Sequence, residues 1–116
     1  MLNLEELIKE LLNKNNQYLP QKISFTTYCK RKMIDRGVEE KEVIETLKQN
    51  KNLYFAQKQE APFRNLKEIR YKLIYKISSR YSLIIIVVYE ERVLKVVNVI
   101  KTSKTAEKLW RKKALE

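Results

Sequence analysis

Basic side chains fall on one side of the alternating run from Leu66 to Ile77: Arg70, Lys72 and Lys76, with Glu68 and Ile74 in the same row. Arg64, Lys67 and Arg80 lie at or near the ends of that run, and Lys101 and Lys104 close a neighbouring apolar stretch. Rows of cations on a sheet can follow a phosphate backbone, and an arginine fork can hold one phosphate through two parallel hydrogen bonds. A solvated outer face of an antiparallel sheet has the same look. The shortage of acids beside these cations favours a polyanion, so Arg64, Lys67, Lys72, Lys76, Arg80 and Lys104 are expected to contact nucleic acid.

Other chemistries are bounded by what the chain lacks. It has no histidine and one cysteine, Cys29, which removes Ser-His-Asp and Cys-His nucleophilic systems, histidine bases and a structural zinc site. A magnesium site needs clustered carboxylates. The only aspartate is Asp35, and nothing in the sequence sets Glu60 opposite Glu68, so no metal or other cofactor is expected. Acid–base work would fall to carboxylates, lysines, tyrosines and arginines. Tyr71 and Tyr75 sit on the apolar side of their run and are expected in the core, whereas Tyr81 and Tyr89, at the ends of the next one, are freer to stack on bases. A last cluster, Lys108, Trp110, Arg111, Lys112 and Lys113, suits nucleic acid or an acidic partner, with Trp110 docked on the sheet.

The formal net charge is +11 over 116 residues, unevenly spread. Residues 1–60 carry 11 Lys and Arg against 9 acids, and residues 61–116 carry 14 against 5. The second half therefore bears the electrostatic signal, and nucleic acid is the partner it fits. The longest apolar run, Leu83–Tyr89, is too short for a membrane-spanning helix, and the N-terminus has early acids and no secretory layout. No membrane is expected as a partner, and the cytoplasm is the expected compartment.

These residues must be positioned by a single α+β domain covering 1–116, a length that supports one core. Leu4, Leu7, Ile8, Leu11 and Leu12 recur at helical spacing and give way to a polar loop, Asn13–Gln17. Thr26 or Thr27 caps a second helix that ends at Gly37, and Glu39, Glu40 and Glu42 open a third with Val43, Ile44 and Leu47 as its buried stripe. Leu53–Ala56 reads as a short strand and Ala61–Asn65 as a loop. The runs Leu66–Ile77, Tyr81–Tyr89 and Val93–Lys101, joined by short turns, form an antiparallel meander with Tyr81–Tyr89 at its centre. Thr102 or Ser103 then caps a terminal helix. The expected architecture is N-terminal helices on a four-stranded, mainly antiparallel sheet, with a C-terminal helix.

The segment Phe25-Thr26-Thr27-Tyr28-Cys29-Lys30-Arg31-Lys32-Met33-Ile34-Asp35-Arg36-Gly37-Val38, followed by Val43 and Leu47, resembles a small domain family related to BrnT and the RelE/ParE-like toxins. That family has a basic helix ending Met-x-x-Arg-Gly, matched here by Met33, Arg36 and Gly37, and usually a histidine where this chain has Tyr28. Residues 1–20, the first helix and its loop, lie outside the likeness. The resemblance implies a RelE-like fold and RNA, more than DNA, as ligand. It implies metal-independent cleavage of messenger RNA as an activity, with the ribosome and an acidic antitoxin as partners. Because Ile69–Tyr75 is similar to the strand that carries a catalytic arginine there, Arg70 takes that role, with Lys101 as a second basic residue. A non-enzymatic nucleic-acid-binding or regulatory protein on the same fold is the alternative.

Overall fold

The computed structural model describes residues 3–49, 51–63 and 66–103. The Asn3 side chain accepts the Glu6 backbone N–H at 2.8 Å and donates to the Glu6 carboxylate at 2.8 Å, a reciprocal cap that starts α1 (Leu4–Asn16). The helix runs through most of the stretch expected as a polar loop, and the reason lies in Asn15, which is fully buried against the sheet. A single 3-10 turn, Pro20–Lys22, leads into β1 (Ile23–Phe25). Thr26 caps α2 (Thr27–Arg36), its Oγ1 accepting the Cys29 N–H at 3.1 Å. Gly37 ends that helix at φ 68°, the left-handed conformation that glycine adopts without a Cβ penalty. A third helix, α3 (Glu40–Gln49), follows.

Four further strands follow, β2 (Leu53–Phe63), β3 (Leu66–Lys76), β4 (Tyr81–Tyr89) and β5 (Leu94–Ser103); the last three form the expected antiparallel meander, and β2 pairs antiparallel with β3. The sheet order is β1-β5-β4-β3-β2, which puts β4 at the centre. The expectation of four strands is corrected to five. Strand β1 joins β5 in parallel, Ile23 to Leu94 through Phe25 to Val96, and makes the sheet mixed. Three residues are too few to show a period of two; what holds them is the ladder and the bond from Thr26 N–H to Val96 O at 3.1 Å. Strand β2 also outruns its expected end. Gln57–Glu60 has no apolar alternation, yet the ladder with β3 continues to Phe63 opposite Leu66. Pro62 is tolerated there because β2 is an edge strand and one of its sides needs no N–H donors.

The three α-helices among the described residues pack on one face of the sheet. Leu11, Cys29, Met33, Val43 and Leu47 meet Leu73, Tyr75, Leu83, Ile85, Val87 and Val96 in one core cluster. Each fully buried aliphatic side chain there contributes about 1.5–3 kcal/mol. The alternation of the β3 residues is as expected, with Tyr71, Leu73 and Tyr75 turned to the helices. The second face is not the solvated surface its lysines suggested: Lys72, Ile74, Ser82, Ile84 and Val97 are all buried. Burial lowers the Lys72 pKa from 10.5 to about 8, since desolvation disfavours the charged ammonium. Thr102 and Ser103 extend β5, and the expected terminal helix with Trp110 and its basic neighbours lies outside the described residues.

Candidate nucleic-acid interface and ionic cleft

The sheet distributes the expected site residues between two places. Arg70 lies on the second face of β3, next to Tyr71 on the core face. Lys101 pairs with Leu83 and so shares the core face. The two residues that the resemblance makes catalytic are thus on opposite faces and do not converge. Glu60 pairs with Ile69 and Ala61 with Glu68, so the two carboxylates also stand on opposite sides of the β2–β3 ladder. Lys67 occupies β3 opposite Pro62; Arg64 and Lys104 lie outside the described residues. Lys72 is buried mid-strand rather than offered to a ligand.

Lys76, Arg80 and Lys101 all lie at the β3–β4 hairpin end, Lys76 on the second face with Ser82 and Lys101 on the core face with Tyr81. Ser78 Oγ accepts the backbone N–H groups of Arg80 and Tyr81, each at 3.2 Å, which closes the turn and fixes Tyr81 at the start of β4. Lys76 is paired with Ser82 across the ladder, and its N–H reaches Asn52 O at 2.9 Å, which brings Lys51 to the same end. Lys51 and Lys76 line one recess there, of about 150 Å³. The Tyr81 ring is 48% exposed, with the Lys101 ammonium 5.7 Å from its centroid. Among the described residues Glu42 is the acid in contact with this group, 3.7 Å from Lys101, a half-exposed pair of small energetic weight. Cations around an open aromatic ring are the elements of a single-strand binding surface.

A different chemistry collects where β5 bulges. The β4–β5 register passes from Ile86 opposite Asn98 to Val87 opposite Val96, and the extra residue, Val97, bends the strand. Beside it opens a cleft of about 520 Å³ lined by Tyr28, Glu68, Arg70, Lys95, Val97 and Asn98 among others. The Glu68 carboxylate accepts from Arg70 Nε at 2.7 Å and lies 3.6 Å from Lys95 Nζ. Lys95 also meets Glu90 at 3.3 Å. Asn98 Oδ1 is taken by Arg36 at 2.9 Å and by the Val99 N–H at 3.0 Å, so the amide is held in one orientation. Arg36 further donates to Val99 O at 2.7 Å, fixing α2 to the bulge.

The sequence reading missed Lys95 and Asn98. Lys95 stands between Leu94 and Val96, and that break in an apolar run was the available signal. Asn98 had none, because its place depends on the bulge. Tyr89, expected to be freer than Tyr71 and Tyr75 to stack on bases, is instead engaged with Tyr71 (5.5 Å between centroids), Tyr18 (6.1 Å) and Asn15, and burial pushes its pKa well above the ordinary value. Cys29 is buried, which raises its thiol to about 11 and removes it as a nucleophile at neutral pH. Among the described residues no helix is long and apolar enough to cross a membrane. No family model, curated protein or solved structure matches the chain.

Proposed function

We propose that this protein binds single-stranded RNA in the cytoplasm through the basic end of its sheet. The observation that carries the reading is the exposed Tyr81 ring with Lys101 beside it, Arg80 next to it in the chain and Lys76 one strand away. Stacking on a tyrosine face is sequence-tolerant and requires a base that is already unpaired, so this end suits a single strand better than a duplex. The charge of residues 61–116 supports a phosphate backbone as partner. The choice of RNA over DNA comes from the likeness of Phe25–Val38 to the BrnT-related domains, as do a RelE-like fold and an acidic antitoxin or the ribosome as partners.

The test is fluorescence anisotropy with a labelled single-stranded RNA, its DNA counterpart and an RNA duplex. Tyr81→Ala is expected to weaken the single strand by about 5- to 150-fold and Tyr81→Phe to leave it nearly unchanged. Equal binding of duplex and single strand, with no loss in Tyr81→Ala, would remove the reading.

Metal-independent RNA cleavage is a second reading, favoured by the Arg70 guanidinium and the Glu68 carboxylate lying 2.7 Å apart in an open cleft. There a carboxylate is placed to take a hydroxyl proton and an arginine to stabilise phosphate charge. Cleavage by wild type that persists in Arg70→Ala would refute it.

A further inference from the structure

We infer that the cleft at the β5 bulge is a binding site for one nucleoside monophosphate unit, separate from the hairpin end. Along β3 the two places are about 20 Å apart, six residues at strand rise. The inference rests on the donors the cleft presents, not on the strand-binding reading.

Among the described residues Arg70 engages Glu68 through its Nε; the two terminal nitrogens of its guanidinium form the outer fork that recognises a phosphate. Lys95 supplies a second cation on the other side of the same carboxylate. Asn98 has its oxygen committed to Arg36 and Val99, which leaves the Nδ2 amide as the group that can donate to a ligand acceptor. Tyr28 is 50% exposed at the cleft and gives a flat ring for stacking, with Ile86 and Val97 as apolar floor. A volume of about 520 Å³ falls in the range of small-ligand pockets. A phosphate, a flat heterocycle and an acceptor on one molecule satisfy all of these groups together; a nucleotide carries the three.

Glu68 acquires a role in this scheme. Its carboxylate lies between Arg70 and Lys95, the place an anionic ligand would take, so the phosphate must compete with it. Removing that charge frees Arg70 and leaves Lys95 with Glu90 alone, while keeping the shape of the side chain.

The experiment is isothermal titration calorimetry with adenosine 5′-monophosphate on the wild type, Arg70→Ala, Tyr28→Ala, Tyr28→Phe and Glu68→Gln, with adenosine and inorganic phosphate as partial ligands. Wild type is expected to bind the nucleotide more tightly than either partial ligand. Tyr28→Ala should weaken it by about 5- to 150-fold, Tyr28→Phe should restore it, and Arg70→Ala should weaken it by at least about tenfold. Glu68→Gln should bind more tightly than wild type, a gain that a merely damaged fold would not produce. No binding to the wild type at about 10 mM nucleotide, or binding indifferent to both Arg70→Ala and Tyr28→Ala, overturns the assignment. The source of the ligand is resolved with Lys76→Ala/Arg80→Ala/Tyr81→Ala, which removes the stacking ring and two cations of the hairpin end and keeps the cleft. An RNA oligomer that still displaces the nucleotide from this variant identifies a strand as the source, and failure to displace identifies a free nucleotide. If the hairpin reading fails while the nucleotide binds, the cleft stands alone.

Discussion

The salt dependence of RNA binding follows from the four cations at the hairpin end, Lys51, Lys76, Arg80 and Lys101. For a single strand, log K falls with log salt at about −0.7 per phosphate neutralised, so four contacts give a slope of about −2.8. Raising salt from about 50 to 200 mM should then cost roughly 50-fold in affinity. The double variant Lys76→Ala/Arg80→Ala removes two contacts and should flatten the slope to about −1.4, a loss of roughly sevenfold over the same range. Anisotropy titrations at five salt concentrations measure both slopes. The difference of about 1.4 between them is the diagnostic quantity, because cations elsewhere in the chain contribute equally to both proteins. Identical slopes would show that the hairpin end does not touch phosphate and would refute the interface.

Two further predictions concern the scaffold. Asn15 donates to the Tyr75 hydroxyl at 3.1 Å and accepts from the Tyr89 hydroxyl at 2.7 Å, so Asn15→Ala should cost about 3 kcal/mol in urea unfolding, and Tyr89→Phe only about 1; a cost for Asn15→Ala under about 0.5 kcal/mol would contradict the network. Between pH 8 and 10.5 the unfolded chain keeps a proton on Lys72 that the folded chain has released, so this residue makes stability rise with pH. Relative to Lys72→Met, wild type should gain about 2 kcal/mol between about pH 7.5 and 9.5. Cys29, held at about 11, and the raised tyrosines Tyr75 and Tyr89 act in the opposite sense above pH 9 to 10, which is why the comparison with the variant is needed. A difference flat with pH would show that Lys72 is not desolvated.

Local signals carried most of the architecture. The Thr26 cap, the Gly37 stop, the helical stripes and the meander each depend on residues close in sequence, and each is found where spacing places it. What was illegible depends on distant partners. Ile23–Phe25 is a strand only because β5 lies beside it, and Asn15 is helical and buried because two tyrosine hydroxyls await it. The site divides the same way. Alternation placed Arg70 away from the core, but the face of Lys101 depends on the β5 bulge at Val97, which shifts every later residue by one. Sequence proximity to the same sheet therefore suggested one site where the register makes two.

The bond from Arg36 to Val99 and the pairing of β1 with β5 join the first third of the chain to its last described strand. A ribosome adding about 5 to 20 residues per second needs roughly 3 to 13 s to travel from Arg36 to Val99, a separation of 63 residues. Until β3 and β4 have followed, the helices lack the sheet residues they pack on, and throughout the interval α2 and β1 lack their partner β5, so Cys29 and Met33 stay open to other chains. Completion of the fold is therefore an event of late synthesis, and a nascent chain halted before β5 offers chaperones an unfinished sheet with the thiol-bearing side of α2 uncovered.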